Sequence, residues 1–113
     1  MGHTNFLRSF CFSQVISTMA DASPEVASQF EKLYTSAMKE GALSYKTKEL
    51  IAISCAISSG CALSLESHIK AAIENGLQRA ELVEAIGILI FMNGENALIQ
   101  GTKALQFYDR EKS

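Results

Sequence analysis

A chain of 113 residues, 48% hydrophobic and 19% charged, is sized for one domain (1–113) around one core, and no stretch of it reads as a linker. A net charge of −2 and a pI near 5.6, with Lys46 and Lys48 the nearest approach to a basic patch, exclude a nucleic-acid partner. The longest nearly apolar run, Leu82 to Met92, is broken by Glu84 and falls short of the roughly 20 residues a membrane span requires, so no membrane partner is expected.

Three cysteines, Cys11, Cys55 and Cys61, are too few and odd in number for a secreted disulfide scaffold, which points to a reducing, cytoplasmic setting. No cofactor-binding or metal-ligand motif stands out, and neither a cofactor nor a metal is expected.

No stretch alternates apolar and polar residues long enough for a strand, and the chain reads as all-α, with about five to six helices. Residues 1–22 form an N-terminal amphipathic helix on the spacing of Phe6, Phe10, Val15, Ile16 and Met19. The same segment carries Arg8, several serines and no acid before Asp21, a faint transit-peptide composition. Phe at position 6 removes the hydroxyl expected for myristoylation of Gly2.

Ser23-Pro24-Glu25 starts the next helix with a capping hydroxyl, a ring suited to the first helical position and an acid facing the dipole. Val26, Phe30, Leu33, Tyr34, Ala37 and Met38 mark its apolar face, and Gly41 its end. Ser44 caps a helix whose apolar positions Leu50, Ile51, Ile53 and Ile57 carry it to Gly60, a left-handed stop.

Another helix follows at once, from Cys61 or Ala62 to Asn75-Gly76, with Leu65, Ile69, Ala72 and Ile73 as its core stripe. These two form a central antiparallel hairpin over residues 45–75. From Glu81 to Met92 the chain is apolar on nearly every side, as in a helix covered by its own subunit and by a partner. Asn93-Gly94 breaks it. The last helix, Asn96 to Tyr108, places Leu98, Gly101, Leu105 and Tyr108 on one face, where Gly101 permits close approach.

Candidate chemistry gathers on the hairpin. Cys61, Ser64 and His68, at spacings of three and four, share one helix face. A thiol in a first turn meets the positive end of the dipole and unpaired N–H groups, both favouring thiolate. The alternative is a cysteine packed as a small hydrophobe. Glu49 is in register with Ala52, Ile53 and Ala56, a partly apolar face on which a carboxylate needs a partner. Measured from Gly60 at 1.5 Å per residue, Glu49 lies about 16 Å down one helix and His68 about 11 Å down the other, a gap side chains can close. A Glu49–His68 bond would fix the imidazole tautomer and make His68 a general base for Ser64, one turn away. The plainer alternatives are a Glu49 paired with surface lysine and a His68 that is merely satisfied.

The series Glu49, Cys61, position 64 and His68 resembles the Glu, Cys-x-x-Cys, His constellation of the carboxymuconolactone decarboxylase and alkyl hydroperoxidase D-like family, with Ser64 in place of the second cysteine. Gly41-Ala42-Leu43-Ser44, Lys46 to Ile51, His68 to Ala72, Asn75-Gly76, Glu81 and Glu84-Ala85-Ile86 extend the likeness over residues 24–108. Where relatives often carry Gly-Gly or Gly-Pro, this chain has Asn93-Gly94-Glu95-Asn96. The resemblance implies an alkyl hydroperoxidase D-like helical fold, assembly with itself as a trimer or hexamer, a small-molecule substrate and catalytic roles for Glu49, Cys61, Ser64 and His68.

It also implies three functions. In the redox branch the second cysteine attacks and the first resolves. Ser64 cannot form a disulfide, which leaves a one-cysteine thiol peroxidase or reductase of peroxiredoxin type, with Cys61 oxidised and a thiol reductant or Cys55 resolving it. The decarboxylase branch acts on a lactone acid by acid–base chemistry, here through Glu49 and His68, with Lys46 and Lys48 as the nearest cations. The third is a non-catalytic, ligand-binding oligomer.

Overall fold

The structure, a computed structural model, describes residues 10–113, with side chains from residue 16 onward. Expectations for residues 1–9, and for the side chains of Phe10, Cys11 and Val15, lie outside the described residues.

Within them the chain is all-α. Six helices follow one another as α1 (Phe10–Ala22), α2 (Pro24–Met38), α3 (Tyr45–Ser59), α4 (Ala62–Glu74), α5 (Arg79–Asn93) and α6 (Glu95–Lys112), and no strand is present among the described residues. The central hairpin is α3–α4, and α5 and α6 pack on it and on one another.

Local chemistry sets each junction. Ser44 accepts a hydrogen bond from the Thr47 N–H at 3.1 Å, satisfying one of the orphan donors of α3. At the other end Gly60 takes a left-handed φ of 74°. Its N–H reaches the Ile57 carbonyl at 3.3 Å while the Cys61 N–H reaches Ala56 at 3.0 Å, a Schellman closure. The same device ends α4, where Gly76 (φ 93°) and Leu77 return to Ile73 and Ala72 and the Leu77 side chain is buried. Gln78 and Glu81 form a capping box at the start of α5.

Two boundaries differ from the sequence expectation. Helix α2 ends at Met38 rather than near Gly41, because Lys39 turns to extended backbone (φ −64°, ψ 148°) and Lys48 Nζ takes the carbonyls of Ala37 and Lys39 at 2.8 and 2.6 Å. Helix α6 runs on to Lys112 instead of stopping at Tyr108. Its last turn carries Arg110 and Lys112, which suit the negative end of the dipole.

The main core lies between α3, α4, α5 and α6, around Ile53, Ile57, Leu65, Ile69 and Leu82. Gly101 lets α6 close on α5: a Cβ there would stand 2.5 Å from Ile86 Cγ2. Leu98 is exposed, and the buried positions of that face are Ala97, Gly101, Ala104 and Tyr108. A smaller cluster, Tyr34, Met38 and Tyr45, joins α2 to α3.

The apolar face of α2 is broader than what the described residues cover, since Tyr34 and Met38 are buried while Val26, Phe30 and Leu33 are exposed. Ile51 on α3 is exposed too. Helix α5 buries Leu82 and Ile86 but leaves Val83, Ile88, Phe91 and Met92 open within one chain. Periodicity thus located the apolar faces without saying what covers them. No helix is long and apolar enough to cross a membrane among the described residues.

Candidate functional site

The hairpin brings Glu49 and His68 together. Glu49 sits on the inward face of α3 and is fully buried, and its Oε1 is 2.6 Å from Nδ1 of His68 on α4, itself 7% exposed. An unpaired buried carboxylate would be strongly penalised, and this one is held on both oxygens. The Tyr45 hydroxyl, one turn earlier on α3, donates to Oε2 at 2.5 Å. Tyr34 of α2 lies 3.1 Å from the same hydroxyl.

Proton positions in this chain follow from valence. An ionised Glu49 only accepts, so Nδ1 of His68 donates, and the neutral ring keeps its lone pair on Nε2. Tyr45 spends its single proton on Glu49, which makes Tyr34 the donor to Tyr45. Burial, and after it the hydrogen bond to Glu49, push the Tyr45 phenol far above its ordinary range, which favours the protonated, donating form. Three helices therefore contribute to one polar chain, Tyr34–Tyr45–Glu49–His68.

Cys61 occupies a different position. Its N–H closes the end of α3 and its carbonyl accepts from the Leu65 N–H at 3.0 Å to begin α4, so the residue is the N-cap of the helix that carries His68. The thiol is exposed and does not pack as a core hydrophobe. Ser64 is half-buried one turn before His68. His68 stands seven residues beyond Cys61, about 10 Å along the helix axis, and is therefore one turn from Ser64 and two from the thiol. Cys55 is exposed on α3, and both described cysteines are free thiols.

The surface lysines have other partners. Lys46 Nζ bonds Glu81 at 3.0 Å, bridging the starts of α3 and α5, and Lys48 caps the end of α2. Glu49 thus pairs with His68 and Tyr45, not with lysine. No group of three or more His, Cys, Asp or Glu comes together as a metal site among the described residues.

Residues 24–107 match the sequence profile of the carboxymuconolactone decarboxylase family. The chain belongs to this family. It is 31% identical over 91 residues to an uncharacterised protein of Cupriavidus necator, covering 80% of each chain. An uncharacterised protein of the cox locus of Paracoccus denitrificans is 29% identical over 97 residues, 86% of this chain and 87% of that one. Among solved structures, a carboxymuconolactone decarboxylase family protein from Legionella pneumophila superimposes with a TM-score of 0.83 at 30% identity, over 87% of this chain and 88% of its own. A provisionally assigned carboxymuconolactone decarboxylase from Burkholderia xenovorans gives 0.80 at 26% identity, over 87% and 77%. The likeness covers the hairpin and the helices packed around it.

Sequence reasoning found Glu49 and His68 but not the tyrosines behind them. Tyr34 reads from sequence as one more apolar position of α2, and Tyr45 as an unremarked helix start. The usable signal was the i, i+4 spacing of Tyr45 and Glu49, which sets a phenol over the carboxylate on one helix face.

Proposed function

We propose that this carboxymuconolactone decarboxylase family member is a proton-transfer enzyme acting on a small lactone acid, with His68 as the acid–base group and Glu49 as its orienting partner. The observation that supports this reading is the buried 2.6 Å Glu49–His68 bond, whose carboxylate is braced on its second oxygen by Tyr45. A carboxylate in that place selects one tautomer, directs Nε2 outward from the pair and balances the charge of the imidazolium that proton transfer creates.

The proposed step is a decarboxylation. The bond from the substrate carbon to its carboxylate breaks, and carbon dioxide leaves. Nε2 of neutral His68 first takes up a proton from solvent, the electron pair of the broken bond passes into the conjugated lactone carbonyl, and the imidazolium so formed gives that proton to the carbanion, leaving His68 neutral again. Because the lactone carbonyl takes up the charge, the step does not depend on Lys46 or Lys48.

The test compares carbon dioxide release from γ-lactone acids by the native chain, Glu49→Gln and Cys61→Ser. Glutamine at 49 keeps the shape of the side chain but removes the negative charge that balances the imidazolium, so a loss of about 10²–10⁴-fold is expected, while Cys61→Ser stays near native. Absence of turnover by the native chain across that substrate class, or full activity in Glu49→Gln, overturns the proposal.

A second reading is favoured by one specific observation, the exposure of Cys61 at the N-cap of α4. In it a peroxide oxidises the Cys61 thiolate to sulfenic acid, the peroxide oxygen–oxygen bond breaks with release of an alcohol or water, and an external thiol reduces the sulfenic acid. Peroxide consumption in the presence of dithiothreitol that disappears in Cys61→Ser supports it, and peroxide turnover unaffected by that substitution removes it. Assembly of the chain with itself, which the exposed apolar faces of α2 and α5 favour, belongs to either reading.

A further inference from the structure

We propose that Tyr45, backed by Tyr34, is the positioning residue that holds Glu49 in register with His68, an inference that rests on the acid–base reading of that pair. Glu49 has two carboxylate oxygens, both buried, and one of them is committed to His68. If the second oxygen had no donor, the carboxylate would gain by rotating or by taking up a proton, and either change releases the imidazole tautomer. Tyr45 supplies that donor from the same helix, four residues earlier, at 2.5 Å.

Three features suit Tyr45 to this role. It is 2% exposed, so its ring is fixed by packing against Tyr34 and Met38 rather than by solvent. Burial disfavours its phenolate, so the hydroxyl keeps a proton to give to Glu49. Its oxygen accepts from Tyr34 on another helix, 3.1 Å away, which polarises the hydroxyl toward Glu49 and links the orientation of the carboxylate to the packing of α2 on α3.

The molecule contains an internal comparison. Tyr108 is equally buried, and its hydroxyl donates at 3.0 Å to the Leu77 backbone carbonyl, with no connection to Glu49 or His68. It is a structural tyrosine, so substitutions at 45 and 108 separate positioning from packing.

The experiment uses the full chain with ¹⁵N-labelled histidine and reads the His68 ring by NMR at one pH; His3 is the only other histidine. The quantities are the tautomer and the exchange rate of the Nδ1 proton with water, neither of which requires a substrate. In the native chain Nδ1 carries the proton. In Tyr45→Phe the exchange is expected to quicken about tenfold with mixing of tautomers, in Tyr34→Phe about threefold, and in Tyr108→Phe not at all. Native exchange and tautomer in Tyr45→Phe overturn the proposal. If Tyr45→Phe does not fold, Tyr34→Phe decides, and an unchanged exchange rate there overturns it equally. Glu49→Gln separates the two levels: a changed ring signature supports the pair as the element being positioned, whereas an unchanged one overturns both this inference and the reading beneath it. Lack of lactone turnover alongside a tyrosine-dependent tautomer leaves the positioning role standing and removes only the proposed reaction.

Discussion

Substituting alanine for Gly101 tests the packing that holds the hairpin against its supporting helices. The added methyl would lie 2.5 Å from Cγ2 of Ile86, 3.4 Å from its Cγ1 and 3.5 Å from its Cβ. Carbon atoms in good contact stand about 3.5–4.0 Å apart, so α6 or Ile86 must retreat by about 1 Å. Ile86 is β-branched, buried and on a helix, and the clashing atom is attached directly to its Cβ, so rotation gives little relief. Overpacking of this kind costs about 1–3 kcal/mol, and the better helix propensity of alanine returns about 1 kcal/mol. A net destabilisation of up to about 2 kcal/mol corresponds to a fall in Tm of up to about 10 °C for a chain of this size. Thermal unfolding followed by far-ultraviolet circular dichroism, at one fixed protein concentration, measures it. Adding Ile86→Ala removes both γ carbons, so the double variant should be less unstable than the sum of the singles by at least about 1 kcal/mol. A Gly101→Ala chain that melts above the native temperature, or a double variant whose effect is the simple sum of the singles, would refute the close α5–α6 contact.

Tyr108→Phe leaves the Leu77 carbonyl without its phenolic donor and should lower stability by about 1–2 kcal/mol in urea unfolding, without change in carbon dioxide release from a lactone acid. Glu81 supplies a pH-dependent test: the Gln78 backbone N–H first, and Lys46 second, hold its carboxyl below the ordinary value of 4.5. The folded chain therefore binds fewer protons there than the unfolded one. This contribution is complete above 4.5 and is lost as the pH falls through the lower folded value. The gap in urea midpoint between native and Glu81→Gln should be fully open near pH 7 and narrow as the pH falls below 4.5, and a gap independent of pH would contradict the assignment. For the exposed thiol, mass spectrometry after peroxide treatment should find oxidation at Cys61 in the native chain, and a Cys61 that remains reduced would remove the redox reading.

Much of the fold was legible because its punctuation is local. Ser44, Gly60 and Asn75-Gly76 each act within one helical turn, and together they delimit the hairpin. With the turn fixed, a rise of 1.5 Å per residue sufficed to bring Glu49 near His68. Less accessible were features that depend on neighbours. Val26, Phe30, Leu33, Ile51 and Leu98 occupy apolar helix positions yet are exposed, since a periodic pattern defines a face and not the surface that meets it. The early end of α2 arises from Lys48, nine residues beyond Lys39 and on another helix, and no cap within α2 announces it. Tyr34 and Tyr45 are harder still, because a buried tyrosine serves equally as core filler and as a hydrogen-bond donor until the partner of its hydroxyl is known.

The most direct measurement of the central claim is hydrogen exchange at carbon in heavy water, which reads proton transfer whether or not carbon dioxide leaves. A γ-lactone acid is incubated with native, Glu49→Gln and Cys61→Ser chains, and deuterium entering the ring carbon next to the lactone carbonyl is followed by NMR. The account requires incorporation by the native and Cys61→Ser chains and a loss of about 10²–10⁴-fold in Glu49→Gln. Equal incorporation in the native and Glu49→Gln chains, or incorporation that vanishes only with Cys61, would contradict it.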